Sequence, residues 1–456
     1  MTQNLMRARD FINTIGVNTH IPYTDGGYAN LTNISADISY LGIDAIRDGI
    51  SNGQNGSAPL SSYITLAEEG YKFTFLLFSG GNITTADVTS QLGLVAQVQA
   101  AFPGSVLAVE GANEINNSHI TYNGVGGLQG ALNLQAQIYA SVHASSALSG
   151  VSVDYFTGYA AGDIAVGPNP ATTSGLADFD NQHPYPNHGQ APKQWVNPTQ
   201  ALGNEAPPTG PAVYTETGYS TSGGTNGGVN QDVQAKYTLD LLMDDAQSGI
   251  SRTYLYQLMD AYQPGSPQGD DEYGLFDSSN QPKAAATAIH NLTSILADTG
   301  APAISFAPTP LNYTLSNLPS TGSSLVLEKS NGAADIVVWN EPQIWNESSG
   351  TEVAAPTTSV TMQFGATYKS VEVFDPLTGT SAIQTLSNAS SVTLALTDHP
   401  LIVEVGPQTT TTPVTTSPAT TTTDTLTLRV SEDAYDGDAL FTVKVDGTQV
   451  GGTYTA

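Results

Sequence analysis

From about residue 11 to residue 298, short apolar runs alternate with longer amphipathic ones, the rhythm of repeated strand and helix units around a parallel sheet. Eight runs read as strands: 15–20, 45–48, 73–78, 106–109, 151–155, 179–183, 212–216 and 253–257. Helical spacing can be counted between them, as at Val233, Tyr237 and Leu241, or at Ala285, Ile289, Leu292 and Leu296 behind Pro282. Eight such units predict an α/β fold, a closed (β/α)8 TIM barrel. An open doubly wound sheet is the competing arrangement, and the lack of a glycine-rich phosphate loop after the first strand counts against it.

After Thr299 the helical spacing stops and period-two runs take over at 324–329, 335–340, 360–364, 370–374 and 391–396, separated by Gly, Pro, Asn and Ser turns. That pattern predicts a small all-β sandwich. The expected division is a barrel over 1–299, a β-sandwich accessory domain over 300–406, and a Thr/Pro linker over 407–424. The linker, "PQTTTTPVTTSPATTTTD", has nothing to bury and is expected to be extended. Alternation resumes between Leu426 and Val450 around the turn signal Asp446-Gly447. Residues 425–456 are too few for a stable β-module, so they are expected to be the disordered beginning of a truncated domain.

Charge narrows the partners. The chain carries 41 acidic against 12 basic side chains, a formal net charge of -29, so a nucleic acid would be repelled by the field of the whole protein. It has no cysteine, which excludes disulfides, thiolate metal sites and a cysteine nucleophile. No apolar run reaches the roughly 18 residues of a membrane span, and the opening "MTQNLMRARDF" lacks the apolar core of a secretory signal. Low charge density and many Thr, Ser, Gly and Asn residues nevertheless suit a secreted, extracellular protein, with a monomer as the default.

The chemistry begins at "VLAVEGANEIN", residues 106–116, where carboxylates end an apolar run. A buried carboxylate costs several kcal/mol unless it is paired or hydrogen-bonded, so its presence there asks for a purpose. Glu114 follows strand 4, and Glu216 lies in "VYTETGY" at the end of strand 7. Barrel enzymes place their reactive groups at such strand ends. Two carboxylates facing one cavity are what glycosidic cleavage requires, one as acid and one as base or nucleophile, and their repulsion raises the pKa of one of them.

Asn-Glu alone is a weak signal, because the chain holds it four times, at 113–114, 204–205, 340–341 and 346–347. The competitor is "VVWNEP", which also reads as a strand ending in a glutamate, but it falls after the eight units are complete. Other polar residues gather at strand ends: Asn18 and His20 in the parity of Gly16, Arg47, His183 and Tyr185 in "NQHPYP", and Tyr256 and Gln257. An arginine and a tyrosine near Glu216 would hold it ionised, and histidines and amides would bind sugar hydroxyls. Each has a plainer reading, His183 as a turn histidine and Arg47 as a structural partner of Asp44, Asp48 or Glu110, with Glu110 a buried support. The acidic loop at 270–272 reads as a solvated turn, and Asp433, Asp436 and Asp438 supply too few ligands for calcium.

In order along the chain, "GVNTH", "LGIDAIRDG", "VEGANEIN", "HPYP", "VYTETGY" and "YGLFDSSNQPKAA" resemble a clan A retaining glycoside hydrolase, near families 39 and 5. The resemblance spans roughly residues 11 to 298. It implies Glu114 as acid/base, Glu216 as nucleophile, Asn113 on the sugar 2-hydroxyl, and Arg47 and Tyr185 supporting Glu216. The clan often ends strand 8 with a tryptophan, whereas this chain reads "TYLYQLMD". The region 300–405 resembles the accessory β-sandwich of such enzymes. The tail "LTLRVSEDAYDGDALFTVKVDGTQVGG" is similar to the start of calcium-dependent xylan-binding modules of carbohydrate-binding families 36 and 60. The resulting expectation is a secreted bacterial enzyme that cleaves β-linkages within a polysaccharide or oligosaccharide substrate. It would need no cofactor, calcium entering only with a complete C-terminal module. A tethered binding module favours a polymeric substrate. The rivals are an exo-acting β-xylosidase or β-glucosidase, and a glycan-binding protein without catalysis.

Overall fold

Eight short strands pair in parallel in the computed structural model, which describes residues 5–158, 175–194, 211–222, 227–266, 272–406, 440–445 and 448–455. They are β1 (Ile15–Asn18), β2 (Ala45–Gly49), β3 (Lys72–Phe78), β4 (Val106–Ala112), β5 (Ser152–Asp154), β6 (Asp180–Gln182), β7 (Ala212–Thr217) and β8 (Arg252–Leu255). The hydrogen-bonded order is β6-β7-β8-β1-β2-β3-β4-β5, and a parallel bridge between Asp154 and Phe179 joins the two ends. The sheet is therefore closed into the expected (β/α)8 barrel.

Helices cover its outside where the sequence supplies an apolar face: α1 (Leu31–Leu41), α2 (Leu60–Glu68), α3 (Thr85–Ala101), α4 (Gly127–Ala144), α5 (Gln231–Ser248) and α6 (Ala284–Ile295). Their starts follow local chemistry. Thr84 and Asp87 form a reciprocal capping box at α3, and the Asn230 side chain accepts from Val233 at α5. Inside the barrel, Gly16 makes room for the Tyr254 ring, which a Cβ would meet at 2.4 Å.

The accessory region is built from β9 (Tyr313–Ser316), β10 (Gly322–Glu328), β11 (Ala334–Asn340), β12 (Thr358–Phe374), β13 (Gln384–Leu396) and β14 (Leu401–Val405). Instead of two separately paired sheets, these strands hydrogen-bond as one, in the order β10-β11-β14-β12-β9 with β13 on β12. The long β12–β13 hairpin loses register between Gln363 and Tyr368, so the first half of β12 pairs with β9 and the second half with β14. The outer edge is a short strand from the start of the chain, Leu5–Arg7, parallel to β10. Residues assigned to the barrel by the sequence thus complete the accessory sheet.

Alternation along these strands serves two cores. Leu325, Leu327, Val337, Trp339 and Ile402 join the apolar core of the barrel, while Val326, Ile336, Val338, Leu401 and Val403 pack in a second cluster with Val360, Met362 and Leu394. A short hairpin, Trp345–Asn346 with Thr351–Glu352, follows β11.

Thr410–Ala456 is a separate unit from Met1–Thr409. Within it Leu440–Val445 and Thr448–Thr455 pair as an antiparallel hairpin. The linker 407–424 and the aspartates at 433, 436 and 438 lie outside the described residues. No helix among the described residues is long and apolar enough to cross a membrane.

Candidate active site

The barrel brings its polar strand ends to one place. Arg47, in the middle of β2, is buried and donates in every direction: Nε to Glu110 Oε2 at 2.7 Å, Nη2 to Glu110 Oε1 at 2.8 Å and to Asn113 Oδ1 at 2.7 Å, and Nη1 to Asn18 Oδ1 at 3.0 Å and to Glu216 Oε1 at 2.5 Å. The fork geometry of a guanidinium lets one residue order four partners at once. Arg47 is therefore an ion pair with Glu110 and a partner of Glu216 together, so the plain and the functional readings of this residue both describe it.

Glu216 takes its second hydrogen bond on Oε2 from the Tyr185 hydroxyl at 2.7 Å. Burial pushes its carboxyl up, but the opposing charges of His183 and Arg47, with the hydrogen bonds from Tyr185 and Arg47, bring it down to about 2. It is ionised at any ordinary pH. A register shift in the β7–β8 pairing between Tyr214 and Thr217 lets Thr215 and Glu216, neighbours in sequence, both face this network.

Glu114 stands just past β4 with a left-handed backbone, φ 42°, and its N–H donates to Thr157 Oγ1 at 3.0 Å. A non-glycine residue in that region is uncommon and is held by its surroundings, here also by the N–H groups of Asn117 and Ser118 on the Glu114 carbonyl. Its Oε2 accepts from Asn117 at 3.2 Å and its Oε1 lies 3.0 Å from His183 Nδ1. The Thr215 hydroxyl donates to Asn181 Oδ1 at 2.9 Å and lies 3.0 Å from His183 Nε2.

One oxygen each of Glu114 and Glu216 and a ring nitrogen of His183 lie within 4.8 Å of one another. Among the described residues this is the one group of three with the spacing of metal ligands. The Arg47 guanidinium on Glu216 would repel a cation there, and both oxygens of Glu216 are already engaged, so the donor set fits a pair of working carboxylates better than a metal.

The remaining candidates form a second layer. His20 lies 3.2 Å from the Tyr256 hydroxyl, and Tyr256 meets the Tyr185 ring edge-on at a centroid distance of 6.3 Å. Burial lowers the His20 pKa to about 4 against the pull of Glu216, so the ring is neutral. Gln257 accepts from the Tyr28 hydroxyl at 3.0 Å. Thr215, Asn181, Asn117 and Thr157 belong to the network and carried no sequence signal of their own. Thr215 has the wrong strand parity, which only the register shift at β7 corrects.

No protein-family model matches this chain, and no curated protein matches it. Solved structures do. A family 39 glycoside hydrolase from the gut symbiont Bacteroides cellulosilyticus WH2 superposes with a TM-score of 0.56 at 14% identity, over 87% of this chain and 82% of that one. The chain has the fold of family 39 glycoside hydrolases. The family 39 enzyme from Xanthomonas axonopodis pv. citri gives 0.53 at 14% identity, over 87% and 95% of the two chains. A glucosidase from Croceicoccus marinus gives 0.55 at 12% identity, over 87% and 96%. The shared coverage takes in the accessory sheet as well as the barrel.

The competitor motif is elsewhere. Glu341 ends β11 in the accessory sheet, where it accepts from the Lys193 N–H at 3.0 Å and from Trp339 Nε1 at 3.2 Å. Of the other two Asn-Glu pairs, Glu347 is exposed beside His188, and Asn204-Glu205 lies outside the described residues.

Proposed function

We propose that this protein is a retaining glycoside hydrolase that cleaves β-linkages in a polysaccharide, with Glu216 as nucleophile and Glu114 as acid/base. The observation that carries the reading is the asymmetry of two carboxylates that each bring one oxygen within 4.8 Å of the other. Glu216 is locked as an anion by Arg47 and Tyr185, whereas Glu114 meets only the His183 ring and the Asn117 amide. Retaining enzymes hold their carboxyl groups about 5–5.5 Å apart, whereas inverting enzymes leave about 6.5–9.5 Å for a water.

The steps follow from the positions. Glu216 Oε2 or Oε1 attacks the anomeric carbon as Glu114 gives its proton to the leaving glycosidic oxygen. Water then enters where the leaving group was, loses its proton to Glu114, and releases the sugar from Glu216 with the starting configuration restored. Arg47 and Tyr185 do not need to move for this; they weaken their hold as Glu216 becomes an ester and recover it afterwards. Asn113, fixed by Arg47, is in place to bind the hydroxyl beside the anomeric carbon. Attack within the chain is the preferred mode, and exo action is the alternative.

The test is a panel of xylan, β-glucans, mannan and bacterial exopolysaccharides with wild type and Glu216→Ala, products read by mass spectrometry and the first-formed anomer by proton NMR. Oligosaccharides of retained configuration from wild type alone support the proposal, and a ladder of sizes marks endo cleavage. First-formed products of inverted configuration, or equal turnover by Glu216→Ala, would overturn it.

A further inference from the structure

A run of aromatic rings leads away from the carboxylate pair. From Tyr185, on Glu216, the rings continue edge-on through Tyr256 at 6.3 Å to His20 at 5.7 Å, and there the geometry changes. Tyr23 lies parallel to His20, with centroids 4.8 Å apart and planes 8° from parallel, and Tyr262 continues the stack at 6.4 Å and 26°. Tyr23 is 42% exposed, the one aromatic among the exposed large apolar side chains of the described residues.

The loop that carries it is fixed on all sides. Thr19 and the Ile21 N–H both donate to Asp48 Oδ2, at 2.5 and 2.7 Å, and the Tyr23 N–H closes a turn on the His20 carbonyl at 2.9 Å. Across from it the Gly27 N–H donates to the Ala261 carbonyl at 2.8 Å, and Tyr262 donates to Asp25 Oδ1 at 3.0 Å. Gly26, at φ 63°, permits that approach, since a Cβ there would meet the Ala261 oxygen at 2.3 Å. An exposed tyrosine on a loose loop would say little, because surfaces carry apolar atoms everywhere. A tyrosine held in this way, stacked on a neutral His20 and joined ring by ring to the catalytic centre, is a preorganised apolar face with polar tips.

We infer that the His20–Tyr23–Tyr262 stack is a distal subsite that takes a pyranose ring of a bound glycan chain away from the point of cleavage. The apolar C–H face of a sugar would pack on the aromatic stack, and its hydroxyls would meet the Tyr23 and Tyr262 phenols and Asp25. The inference rests on the glycosidase reading and adds to it that the substrate spans more than the cleavage point.

Binding of xylo-, cello-, laminari- and manno-oligosaccharides of graded length to Glu216→Ala, measured by titration calorimetry, tests it with and without Tyr23→Ala and Tyr23→Trp. The expected result is a loss of about three- to tenfold in affinity for the longer oligosaccharides on Tyr23→Ala, none for the shortest that binds, and recovery with Tyr23→Trp. Equal affinity of the Tyr23 variants at every length, or an equal loss at every length, would overturn the subsite while leaving the glycosidase reading in place. Failure of any oligosaccharide to bind, with no polysaccharide cut, would overturn both.

Discussion

Two glutamates at strand ends in this chain reach opposite fates. At the barrel mouth Glu216 lies against Arg47 and Tyr185 and is held down to about 2, close to Asn113-Glu114. In the accessory sheet Glu341 is as deeply buried, but its neighbours are acids: burial first, then the Asp244 carboxyl, drive it up to about 9. Trp339 Nε1 donates to both Asp244 Oδ1 at 3.0 Å and Glu341 Oε1 at 3.2 Å, and Asp240 is buried alongside and likewise pushed well up by burial and by Glu341. The other groups facing this cluster are Lys193, Asp398, Tyr219 and Tyr237. The lesson is that a motif supplies a carboxyl group, and the counter-charge across from it decides whether that group is a nucleophile or a protonated piece of an interface.

The sharpest way to break the comparison is to remove each glutamate. Glu216→Gln should lower kcat on the order of 10^4-fold or more, whereas Glu341→Gln should leave kcat within about twofold, measured on the same substrate. Equal losses would dissolve the distinction. Glu114→Gln should cost roughly 10^2- to 10^4-fold on glycans and much less on aryl glycosides whose leaving groups need no proton.

Arg47→Met takes away the counter-charge itself. It strands Glu110 and Glu216 without a partner and should destabilise the fold by about 3–5 kcal/mol in a chemical denaturation experiment, in addition to abolishing activity. A near-neutral Arg47→Met would mean that the ion pair is not what holds these carboxylates.

The two regions should also respond to pH with opposite signs. Glu216 falls from an ordinary 4.5 to about 2, so its contribution to stability is complete above 4.5 and is lost as pH falls toward 2. Glu341 rises from 4.5 to about 9, so the folded protein holds its proton more tightly. Its contribution is complete below 4.5 and is lost as pH climbs toward 9. Burial raises Asp37 to about 7 and Asp48 to about 8, with the same sign as Glu341. Thermal unfolding should therefore show wild type most stable on the acid side of neutrality, and Glu341→Gln should flatten the alkaline decline while changing little at pH 4. The smallest expected effect is Trp339→Phe, which takes the indole donor from Asp244 and Glu341 and should cost about 1–3 kcal/mol.

Much of the fold was legible because its signals are periodic. All eight barrel strands were visible as short apolar runs, and the switch to period two after Thr299 marked the accessory sheet. Leu5–Arg7 was not legible, since three residues carry no period and their partner, β10, lies more than three hundred positions away. At the site, residues on strands or at their ends announced themselves by polarity, as Arg47, Glu114 and Glu216 do. Thr215 and Thr157 did not, because a register shift and a loop bring them in. Gln257 looked equivalent to Tyr256 in sequence, yet it is engaged by Tyr28. The stack at Tyr23 was also silent, since it depends on two loops from opposite ends of the barrel chain meeting at Gly26 and Ala261.

The central claim is that Glu216, and no other acid of this chain, forms the covalent bond to the sugar. The most direct test is to incubate the protein with activated 2-deoxy-2-fluoroglycosides, which slow release of a glycosyl-enzyme intermediate, and to map the adduct by peptide mass spectrometry. Using a glycone matched to the products of the polysaccharide panel, the account predicts one sugar per chain, carried on the peptide at Glu216. An adduct at Glu341 or Glu114, or full turnover of the fluorosugar to a product of inverted configuration, would contradict it.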